Sequence, residues 1–90
     1  MKVKISNEEI DIQFNMAVEI AYEEVAGEPF NIESLSKMKN TMALCMAAIV
    51  AANPDTGITM EYLLKKASVK EISELKNAVT ETMMEWLQIR

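Results

Sequence analysis

Polarity alternates along residues 2 to 14, with Val3 and Ile5 in one run and Ile10, Ile12 and Phe14 in the next. This period of two is the signature of half-buried strands and predicts a hairpin over residues 1–14. With Asn7-Glu8 as a two-residue turn, Ile5 would face Ile10, Val3 would face Ile12 and Lys4 would face Asp11. Apolar then meets apolar and opposite charges meet, which is how cross-strand pairs select a register. Two strands alone are marginal in water, so the face carrying Val3, Ile5, Ile10 and Ile12 must rest on helices from the rest of the chain.

From residue 15 onward the period is helical. Asn15 is a natural N-cap and Gly27 a left-handed C-terminal residue, with Pro29 beyond it, so a first helix is expected over Met16–Ala26. Ala17, Val18, Ala21, Tyr22 and Val25 form its apolar arc, while Met16 and Ile20 lie across the wheel among Glu19, Glu23 and Glu24. Met16 and Ile20 are either covered by the hairpin or form an apolar spot in an acidic rim, suited to a partner. Asn31 to Ser34 can make one helical turn between Phe30 and Leu35. A longer helix from about Ser36 to Ala52 ends at Asn53-Pro54. After Thr41 this helix has no polar face, which marks it as the centre of the core.

Thr59 can cap a short helix from Met60 to about Lys66, and Ser68-Val69-Lys70-Glu71 is a capping box opening a last helix that runs to about Gln88. Ile72, Leu75, Val79, Met83 and Trp86 make a narrow seam along it, of the kind that packs on one groove, one partner helix or the domain's own core. The expected fold is therefore mainly α: an N-terminal β-hairpin (1–14), then about four helices (15–90) with an Ala/Met-rich central helix, all in a single domain over 1–90.

Composition narrows the chemistry. Ninety residues suffice for one modest core. The longest run without a polar side chain, Met42 to Ala52, is eleven residues, against about 20 for a membrane span. The N-terminus has no apolar run of the signal-peptide kind, so a cytoplasmic location is expected. There is no histidine and one cysteine, Cys45, which is expected to be a buried and inert thiol. With glycine only at 27 and 57, no phosphate loop can form, and no metal cluster is spaced for binding. Neither an enzyme nor a cofactor is expected. Residues 1–36 hold two lysines against eight acids, a net of −6, whereas residues 37–90 carry a net of +1. The acidic third repels phosphate and anionic lipid and would favour a basic protein partner, or simply a solvated face.

A helix-turn-helix reading of residues 59–76 is weak. The recognition face carries Glu71 and Glu74 beside Lys70 and Lys76, the turn lacks glycine, and the only arginine is Arg90. Eight methionines suit either gap-filling, as at Met42 and Met46, or a surface that adapts to more than one partner.

The order of elements resembles the tail assembly chaperones of long-tailed, siphovirus-type bacteriophages. The resemblance lies in a small N-terminal hairpin, Phe14-Asn15-Met16-Ala17 opening a helix with Glu23-Glu24, and the closing Gly27-Glu28-Pro29-Phe30. It continues through an Ala-rich helix ending at Asn53-Pro54, the segment Ile58-Thr59-Met60-Glu61-Tyr62-Leu63-Leu64, and an amphipathic helix after Ser68. The resemblance implies a non-enzymatic protein of the bacterial host cytoplasm that keeps the tape-measure protein soluble and helps recruit the tail-tube protein during tail morphogenesis. The resemblance assigns the tail-tube contact to a longer, frameshifted form of such chaperones, so that contact is not expected of the sequence up to Arg90. From wheel positions, the partner surface is expected at Met16, Ile20, Tyr22, Met83 and Trp86. The competing reading is a small adaptor or regulatory protein that self-associates through its last helix.

Overall fold

The computed structural model describes residues 2–89; Met1 and Arg90, the ends of the expected domain, lie outside them. The chain runs β1 (Lys2–Ile5), β2 (Glu8–Asp11), α1 (Met16–Ala26), a 3-10 turn (Ile32–Ser36), α2 (Met38–Ala52), α3 (Met60–Lys66) and α4 (Val69–Ile89). It is mainly helical, with an N-terminal two-stranded hairpin, as its pattern predicts.

The hairpin is there, but its register is not the expected one. The turn is Ser6-Asn7, and the pairs are Lys2 with Asp11, Val3 with Ile10, Lys4 with Glu9 and Ile5 with Glu8. Ser6 and Asn7 both have positive φ, 51° and 69°. A tight hairpin turn that follows the strand twist needs two such residues, and asparagine accepts that conformation far more readily than the glutamate an Asn7-Glu8 turn would place there. The correction is a shift of two residues in partner, so the faces survive: Val3, Ile5 and Ile10 still share the inward side. Lysine still opposes acid, now at Lys2–Asp11 and Lys4–Glu9.

The helix ends are set by local chemistry. The Asn15 side chain accepts from the amides of Ala17 and Val18 at 3.0 and 3.4 Å, and Gly27, at φ 74°, sends its N–H back to the Glu23 carbonyl. Glycine fits there because a Cβ is strained at that φ. The start expected near Ser36 moves to Met38 because Ile32–Ser36 closes as a 3-10 turn. The Thr41 hydroxyl donates to the Leu35 carbonyl at 2.7 Å and holds that turn on α2. Thr59 caps α3 through the Tyr62 amide at 3.1 Å. The capping box of α4 is closed both ways, Ser68 N–H to Glu71 Oε1 at 2.9 Å and Glu71 N–H to Ser68 Oγ at 3.1 Å.

Every residue of α2 from Met42 to Ile49 is buried, which results from its lack of a polar face. Around it lie Val18 and Tyr22 of α1, Leu63 of α3, Leu75, Val79 and Met83 of α4, and Ile5, Ile10 and Ile12 of the hairpin region. The alanines at 43, 47 and 48 let these neighbours approach closely. Phe30 stacks edge-on to Tyr22 and tilted to Phe14, both at 5.7 Å between ring centroids. β1 packs on α4 and β2 on α2. The hairpin is tied down by Asn53 Nδ2 donating to the Asp11 carbonyl (2.8 Å), Gln13 Nε2 to Ala51 (3.1 Å) and Ser6 N–H to Glu71 Oε2 (2.8 Å). No helix among the described residues is long and apolar enough to cross a membrane.

Candidate functional site

Chemistry of the usual catalytic kind has few parts to work with. Cys45 is fully buried, and that burial pushes its thiol up to about 12, with the Lys76 ammonium pulling the other way. A thiol held protonated is a poor nucleophile, so Cys45 behaves as a small apolar side chain. Among the described residues no group of three or more Cys, Asp or Glu is placed to hold a metal ion. Glu8-Glu9 and Glu23-Glu24 are exposed.

The surface offers more. Large apolar side chains stand in solvent at Val25 (43% exposed), Met38 (59%), Leu64 (65%) and Val69 (89%). These four lie together, whereas Met16, Ile20, Ile32 and Met84 are exposed elsewhere. Val25, Met38 and Leu64 line one depression of about 450 Å³, together with Met42 and Met60, between the end of α1, the start of α2, and α3. Met38, Leu64 and Val69 line a second of about 520 Å³ that reaches α4 at Ile72 and Lys76. Met38, Met42 and Leu64 belong to both, so the two form one apolar groove crossing these helices. A contiguous patch of this kind marks an interaction surface more often than isolated exposed leucines do. Its methionines can reshape to a partner at little cost.

The groove arises from local geometry. α3 has seven residues and one face on the core, which Leu63 fills completely. Leu64, about 100° further round, cannot reach the same space. α2 likewise turns Met42 inward and leaves Met38, one turn earlier, beyond the core's edge.

The five residues expected to form the partner surface do not come together as one. Met16 and Ile20 are exposed, at 51% and 54%, because the hairpin packs on α2 and α4 and does not cover them. Tyr22 is a correction: it is fully buried and packs edge-on against Phe30. Met83 is another, buried on α4 among the core side chains. Trp86 is half-buried against the core, and its indole N–H donates to Glu19 Oε2 at 3.1 Å, tying the end of α4 to α1. The narrow seam of α4 therefore packs on this chain's own core. Wheel positions missed Met38, Leu64 and Val69. The pair Leu63-Leu64 on a short helix was the available signal, since one face cannot bury both.

Compared with known proteins, the chain matches no family model, no curated protein and no solved structure.

Proposed function

We propose that this chain is a non-enzymatic holding protein whose groove takes an apolar helix of a partner. In the setting that its element order resembles, it is a phage or prophage tail assembly chaperone, and the partner is the tape-measure protein. The observation that carries the reading is the continuous groove of Val25, Met38, Leu64 and Val69, left open by a fold whose core is otherwise closed. Amphipathic helices are recognised by laying an apolar stripe into such a groove. Long helical proteins awaiting assembly expose stripes of this sort, and shielding them keeps the chain from aggregating. Methionine-rich contacts hold without demanding one shape, which suits a partner that must later be released.

The test is co-expression with a tape-measure protein as the candidate partner. Copurification, with the partner moving into the soluble fraction, is the expected result. The double substitution Met38→Ser, Leu64→Ser should abolish both while the helical circular dichroism signal is retained. A folded chain that neither captures nor solubilises the partner would sink the chaperone reading and favour the self-associating adaptor.

A further inference from the structure

We propose that the helix this groove takes is acidic, an amphipathic partner helix with carboxylates flanking its apolar stripe. The inference rests on the reading of the groove as a docking surface and adds the chemistry of its occupant. The groove is lined by apolar side chains, and among the described residues its only charged lining groups are Lys39 in one half and Lys76 in the other. None of the described carboxylates lines it, in a chain with 14 acidic residues against 9 basic ones. Most of the lining comes from the stretch after residue 37, which holds seven basic residues and six acids, yet among the described residues only the basic kind reaches the groove.

The exposed Lys39 and the half-buried Lys76 are each placed to meet an incoming carboxylate. Lys39 is in the first turn of α2, a turn with no acidic residue and no side-chain cap. The positive end of that helix and the ammonium therefore add, and nothing in the turn offsets them. Lys76 is half-buried on α4, so its stem lies along the apolar wall and its charge is less screened than on an open surface. On the neighbouring α3, Lys65 already pairs with Glu61 at 2.7 Å, while Lys66 adds a further exposed cation. The rest of the molecule argues the other way: a net charge of −5 draws basic helices and repels acidic ones. A preference for an acidic helix can therefore come only from the groove.

The experiment uses two synthetic helices of about 20 residues with the same Leu/Met stripe, one flanked by Glu and one by Lys, titrated calorimetrically into the full chain. At low salt the Glu-flanked helix should bind about tenfold more tightly than the Lys-flanked one, the gap narrowing at about 0.5 M salt. The variant K39E/K76E should reverse the order, and K39Q/K76Q should remove the preference if the charge reversal fails to fold. Leu64→Ser should weaken both helices equally. Equal or tighter binding of the Lys-flanked helix, still dependent on Leu64, would overturn the charge assignment and leave the groove standing. Binding of neither helix, or binding indifferent to Leu64→Ser, would overturn the groove itself. Concentration-dependent self-association that Leu64→Ser and K39E/K76E both dissolve would show a second copy as the occupant and overturn the partner helix.

Discussion

Leu63 and Leu64 are neighbours in sequence, identical in composition and opposite in environment, so replacing each by alanine isolates what burial contributes. Leu63 is completely buried beneath α3, whereas Leu64 is 65% exposed. Truncating a buried leucine removes its transfer energy and leaves a cavity in a close-packed interior, so Leu63→Ala should cost about 3 to 4 kcal/mol. Complete burial of a leucine is worth about 1.5 to 3 kcal/mol, and Leu64 has only about a third of that to lose, so Leu64→Ala should cost about 0.5 to 1 kcal/mol. A fold of this size has about 5 to 13 kcal/mol in all, so the first change consumes a large part of it and the second hardly registers. In urea titrations and thermal melts followed by helical circular dichroism, the Leu63→Ala urea midpoint should fall steeply and its melting temperature drop by about 12 to 30 °C, whereas the melting temperature of Leu64→Ala should move by only a few degrees. The partner assay should invert the ranking, with Leu64→Ala losing capture while fully folded. Should Leu64→Ala cost as much as Leu63→Ala, Leu64 is packed in solution, the groove is closed, and the case for a docking surface on these helices fails.

Cys45 should resist alkylation in the native protein at mildly alkaline pH and react at the rate of unfolding, which a thiol-reactive dye in graded urea measures. Because burial raises its thiol from 9.0 to about 12, it stays protonated when folded while the unfolded thiol ionises; its contribution is whole below about pH 9 and is lost between there and about pH 12, so Cys45→Ala should flatten that alkaline fall. Glu71 is shifted the opposite way, since the Ser68 and Ser6 amides hold its carboxyl below the ordinary range. Its contribution is present above the usual glutamate value of about 4.3 and is lost as pH falls through the depressed one, so Glu71→Gln should be less stable at neutral pH and show a shallower acid limb in acid unfolding. Replacing Ser6-Asn7 by Asn-Gly fits the two positive φ angles better and should stabilise the hairpin by about 1 kcal/mol, seen as a higher melting temperature; no change would mean the turn geometry is wrong.

Most of the architecture is legible in the sequence because its signals are local. Asn15, Gly27, Thr59 and the Ser68–Glu71 box place helix ends to the residue, and each is a side chain or glycine acting within one turn of itself. The lack of any polar face after Thr41 identifies α2 as the centre for the same reason. The hairpin register escapes such reading because polarity favours the Asn7-Glu8 turn, the observed register setting Ile5 opposite Glu8, and it is the left-handed backbone at Ser6-Asn7 that decides. Tyr22 and Met83 are buried where a partner surface was expected, although both belong to the apolar arcs of their own helices. Periodicity gives a helix's apolar side but not which neighbour covers it, and Phe30, returning after Pro29, covers Tyr22 from a segment that has no period at all.

The same limit explains why the groove is the hardest feature to foresee and why its sign of charge contradicts the bulk of the chain. An apolar stripe in sequence reports what a helix can bury, whereas a groove is what several helices together leave uncovered. Here the surplus arises because adjacent leucines on α3 lie about 100° apart and only Leu63 faces the core, and because α2 begins, at Met38, before the core has begun. The acidic excess lies in residues 1–36, and the expectation of a basic partner belongs to the surface those residues form. The groove is built chiefly from residues after 37, where lysines and acids nearly balance, and among the described residues the charged groups on its walls are Lys39 and Lys76. Two surfaces of opposite sign on one small fold can each select a different partner, so a net charge of −5 predicts the behaviour of the whole molecule in solution and says little about the helix that the groove will accept.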